Sequence, residues 1–172
     1  MSRLLIYIGR FAVILVGYGV AALAASAFLH LMALAAAGLQ PGEAPPLFLH
    51  SLAFSIPFVA LFVSYFAFLP AGAAIIVSEV LGLKSWLFHA LAGAAVGLAV
   101  AALFWQSPMA FETVGELSEP TLETPRFVAS LIGSGIVGGL AYWLCAGRSA
   151  GDWFAAAGSR RDKPTSSGPS GS

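Results

Sequence analysis

Few residues of this 172-residue chain could do chemistry, and those that could stand inside long apolar stretches: His30, His50, Glu79 and His89. An ionisable side chain surrounded by hydrocarbon is costly unless it is paired, so each is a candidate intramembrane polar site. Imidazole takes up and releases protons near neutral pH, and His89 beside Glu79 would make a proton-linked pair. The plainer role is a hydrogen bond that fixes the second helix against the third. His30 and His50 could ligate a haem only from facing helices at equal depth, and their positions set them about 5 to 10 Å apart in depth. A haem or quinone electron carrier is therefore the least favoured reading, and no cofactor is expected.

Other reactive groups are excluded by count or spacing. Cys145 is the single cysteine, which leaves neither an intramolecular disulfide nor a CxxC pair. Glu112, Glu116, Glu119 and Glu123 are close in sequence but follow no calcium-loop frame, and their loop holds no His, Lys or Cys to act as nucleophile or base. No catalytic or metal site is expected, and the chain reads as non-enzymatic.

The elements that must position these residues follow from composition. With 59% hydrophobic and 9% charged residues and a mean hydropathy of +0.88, most side chains must face lipid rather than water. The net charge of zero gives no field that would attract nucleic acid. The expected fold is all-α, a polytopic four-helix transmembrane bundle over 1–157, with spans at about 11–39, 55–81, 85–105 and 127–147. An outer loop covers 106–126, and the Ser- and Gly-rich tail 158–172 is expected to be a disordered cytoplasmic segment. Trp86 and Trp105 mark the ends of the third span, and Tyr142 and Trp143 close the fourth. No internal repeat supports an inverted-repeat transporter.

The second stretch carries no charge from Ala44 to Ser78, too long for one upright helix and too short for two. The preferred reading starts a helix near Ser55 and Pro57, lays Leu47 to Phe54 along the interface, and continues through a kink at Pro70 to Leu81. The alternative ends the span at Pro70 and lays Ala71 to Leu83 flat, but Ile75, Ile76, Val77, Val80, Leu81 and Leu83 leave little polar face.

Arg3, Arg10, Lys84, Arg148, Arg160, Arg161 and Lys163 fall on one side and only Arg126 on the other, which places both termini in the cytoplasm and suits a bacterial inner membrane. Arg3 and Arg10, seven residues apart, read as snorkelling anchors on one helix face. A cleaved signal peptide ending at Ala25, Ser26 and Ala27 competes with a retained first helix, but the apolar run continues unbroken to Leu39.

Gly93 and Gly97 form one GxxxG, Gly135 and Gly139 another, and Ala129/Gly133 and Ser134/Gly138 add small-residue pairs. Such stripes let helix backbones approach in lipid, so the third and fourth helices should pack closely, with each other or with a partner. The expected function is that of an accessory or assembly subunit acting through helix packing. The alternative is a small homo-oligomeric transporter or channel whose pathway His30, His50, Glu79 or His89 would line. Expected partners are the bilayer and other membrane subunits or further copies of the chain.

Overall fold

The computed structural model describes residues 2–38, 46–106 and 124–151, and its regular structure there is all helical. The helices are α1 (Ser2–Ala36), α2 (Pro46–Leu81), α3 (Trp86–Trp105) and α4 (Thr124–Cys145), followed by a 3-10 turn at Gly147–Ser149. Each of the four is long and apolar enough to cross a membrane. The expected outer loop falls outside the described residues except at its two ends, and the tail 158–172 falls wholly outside them.

The second helix differs from expectation. It begins at Pro46, not near Ser55, and continues through Pro57 and Pro70, so Leu47 to Phe54 are helical and Ala71 to Leu81 belong to the same helix. The physical reason lies at Pro46: a first-turn position has no intrahelical N–H bond to lose, and the fixed proline φ suits a helix start. The first helix likewise begins ahead of the expected 11, because Leu4, Leu5 and Ile8 extend its apolar run past Arg10.

Two glycines end these helices. Gly38 at φ 71° follows α1, where Ala37 and Gly38 donate backwards to Ala33 and Ala35 at 3.0 and 3.1 Å. Gly82 at φ 61° follows α2, and the Leu83 N–H reaches the Ser78 carbonyl at 2.9 Å. Both satisfy carbonyls that a helix end would leave bare, and the second turns the chain into α3 within a few residues.

Helices α3 and α4 make the most extensive contact, α4 also packs along α1, and α2 lies beside α1 with a smaller contact to α3. The glycines explain this order. A Cβ built on Gly93 would collide with the Gly135 carbonyl, one on Gly97 with the Leu131 carbonyl, and one on Gly139 with the His89 carbonyl. On its other side α4 meets α1, where a Cβ on Gly138 would stand 3.1 Å from the Ala21 carbonyl and one on Gly133 2.8 Å from the Phe28 ring. Small residues on two faces thus make α4 the centre of the bundle, and dispersion contacts accumulate where the backbones touch.

Gly93→Ala is expected to lower stability by about 1–3 kcal/mol through overpacking. Gly19→Ala, where nothing stands within 4 Å, should leave it unchanged or raise it by up to about 1 kcal/mol. Denaturation by sodium dodecyl sulfate in mixed micelles checks both, and a neutral Gly93→Ala would contradict the close approach.

Candidate functional site

Three of the four expected polar residues, Glu79, His89 and His30, fall at two levels of the bundle. At the end where α1 starts and α4 stops, Arg10 turns inward from α1 and forms a two-pronged ion pair with Glu79 of α2, Nε to Oε2 at 3.1 Å and Nη2 to Oε1. The same guanidinium donates to the Ser149 hydroxyl at 2.7 Å and to the Ala146 carbonyl at 3.2 Å. The two side chains are 12% and 9% exposed, so the pair is largely withdrawn from its surroundings. A buried charge is tolerated when its partner and its remaining donors are satisfied, and here the carboxylate and four of the five guanidinium N–H groups are engaged.

This corrects the reading of Arg10 as a snorkelling anchor. Its charge has a carboxylate within reach inside the bundle, and that contact replaces the headgroup contact. It also changes the expected Glu79–His89 pair, since the strong interaction of Glu79 is with Arg10.

The segment after α4 completes the site. Ala146 and Ala150 are fully buried, and the Gly151 N–H points to Glu79 Oε2 at 3.4 Å. Gly151, at φ 76°, lies so close to the α2–α3 turn that a Cβ would stand 2.9 Å from Gly82 Cα. The chain therefore folds back under the bundle, and Ser149, Ala146 and Gly151 become part of the site. Sequence reasoning missed them; the available signal was the run of small residues Gly147, Ser149, Ala150 and Gly151 directly after an apolar helix.

His89 lies on α3 beside this cluster. Its Nδ1–H donates to the Ser85 carbonyl at 2.9 Å, while its Nε2 is buried and makes no hydrogen bond among the described residues. The Tyr142 hydroxyl on α4 is buried and unbonded in the same way, and the two rings stack at 5.8 Å with 26° between their planes. Gly147 admits the imidazole, because a Cβ there would come within 2.7 Å of Nε2. A donor with rotational freedom and a ring nitrogen that can accept are thus held together next to an ion pair.

His30 belongs to the second level, near the other end of α1. Its Nδ1–H donates to the Ser26 carbonyl at 2.8 Å, and its Nε2 is hydrogen-bonded to the Ser55 hydroxyl at 2.9 Å. The Ser26 hydroxyl donates to the Ile56 carbonyl at 2.7 Å. Both ring nitrogens are engaged, Nδ1 within α1 and Nε2 in tying α1 to α2. His50 is exposed on α2, and no hydrogen bond links it to His30. The four expected polar residues therefore separate into Glu79 and His89 at one end, His30 in a second cluster, and His50 outside both. Gly93, Gly97, Gly135 and Gly139 lie in the α3–α4 contact described above.

Removing one member of the ion pair should be worse than removing both. Glu79→Gln leaves a buried arginine without its counter-charge, with an expected loss of about 3–5 kcal/mol, whereas Arg10→Met combined with Glu79→Leu should recover most of that loss. A double-mutant cycle in detergent measures the coupling, and additive losses would contradict it. Compared with protein-family models, with curated proteins and with solved structures, the chain matches none.

Proposed function

We propose that the protein is a non-catalytic subunit of a membrane assembly that works through helix packing, with both chain ends on the cytoplasmic side of a bacterial inner membrane. The orientation rests on the lysine and arginine bias of the sequence. Tyr65 carries the functional reading. It stands midway along α2, is 78% exposed, packs its ring on Phe66, and makes no hydrogen bond among the described residues. At mid-membrane its hydroxyl lies about 15 Å from either edge of the hydrocarbon, farther than a phenol reaches. An unbonded hydroxyl in an apolar medium costs roughly 1–3 kcal/mol, and an acceptor on the helix of a neighbouring subunit removes that cost. The glycine stripes of α3 and α4 are occupied within the chain, which leaves the Phe58, Leu61, Phe62, Tyr65 and Leu69 face of α2 for a partner.

The test is extraction of a tail-tagged copy from its native membrane in mild detergent, with particle mass and protein content determined together. One further protein at fixed stoichiometry is expected, and Tyr65→Phe should lower its retention about fivefold or more, the factor for roughly 1 kcal/mol. A particle containing only copies of this chain would overturn the proposal.

The unbonded His89 Nε2 and Tyr142 hydroxyl favour a second reading, a small proton-linked transporter. In proteoliposomes that reading expects a pH-driven flux that His89→Gln and Tyr142→Phe each abolish. No flux from the parent protein would remove it.

A further inference from the structure

Where α3 starts and α4 stops, one tryptophan holds two cationic residues at the outside of the bundle. The Trp143 Nε1–H donates to the Lys84 carbonyl at 2.7 Å, which ties the indole of α4 to the α2–α3 turn. The guanidinium of Arg148 lies over that indole, 4.6 Å from the ring centroid. Arg148 is exposed and has no carboxylate partner among the described residues, in contrast to Arg10, whose charge is matched by Glu79.

We propose that Arg148, held on the Trp143 indole that the Lys84 carbonyl fixes in place, forms a binding site for the phosphate of an anionic phospholipid. Contact with the ring face restrains the guanidinium, and its N–H groups match two phosphate oxygens at once. Trp86, Leu87 and Leu144, 56%, 50% and 55% exposed, border the site along α3 and α4 and give acyl chains an apolar surface. Tryptophan at this level of a spanning helix keeps its ring in hydrocarbon and its N–H near headgroups, which sets the site at phosphate depth. A zwitterionic choline lipid carries its own cation and gains little here.

The inference rests on the membrane reading, which is tested separately by whether the chain leaves membranes only with detergent. The purified full-length protein is examined by native mass spectrometry with phosphatidylglycerol or phosphatidylcholine added at equal concentration. Phosphatidylglycerol should be retained preferentially, and Arg148→Gln should weaken its retention about fivefold, the factor for roughly 1 kcal/mol per basic residue near an anionic surface. Trp143→Phe keeps a ring but loses the N–H tie to Lys84, and should give a smaller loss of the same kind. Equal retention of the two lipids, or an Arg148→Gln protein that retains phosphatidylglycerol unchanged, would overturn the proposal. Displacement of the lipid by inorganic phosphate would assign the site to free phosphate and overturn it as well.

Discussion

The rest of the bundle depends on the contact of two backbones. Where Gly93 of α3 meets Gly135 of α4, neither helix has room for a Cβ, and the contact continues through Gly97 and Gly139. In lipid the burial of leucine against leucine gains little, so association depends on how many atoms come within dispersion distance, and glycine maximises that number. Once α3 and α4 are joined, the other face of α4 presents Gly133, Ser134 and Gly138, and α1 can seat against it. The packing order of the fold thus follows the distribution of residues without side chains.

Helix α2 is attached by a different kind of force. It lies against α1 through polar contacts placed at intervals: Arg10 with Glu79, the Tyr18 hydroxyl on the Ser64 carbonyl at 2.6 Å, the Ser26 hydroxyl on the Ile56 carbonyl, and His30 with Ser55. Between them the surface of α2 consists of large side chains such as Phe58, Phe62 and Leu69, which are more than half exposed. One half of the bundle is therefore held by close backbone approach, the other by spaced hydrogen bonds whose value rises as water is excluded. The polar residues mark depth along α1 and fix its register with α2.

How far the sequence discloses this differs by residue. Glycines four apart lie on one helix face, so the stripes of α3 and α4 can be read from spacing alone. That Arg10 pairs with Glu79 cannot, because 69 positions separate them and no period connects them. A lone arginine near a helix start also fits a headgroup contact, and only the inward path of α2 and the returning chain at Ser149 decides between the two. The start of α2 at Pro46 is hidden for a related reason: Pro57 inside the helix resembles a first-turn proline just as well. The stacking of His89 on Tyr142 depends on Gly147 admitting the ring, a tertiary fact with no local signature.

The uneven attachment of α2 sets a hierarchy of opening. A helix with few buried contacts and several discrete tethers detaches as a unit at lower free energy than one whose backbone is interlocked with its neighbour. Amide protons of α2 will therefore exchange with deuterium ahead of those in α3 and α4, and pulling the chain from its ends will leave the α3–α4 hairpin as the last element to yield. The order in which the molecule comes apart is written in where its glycines lie.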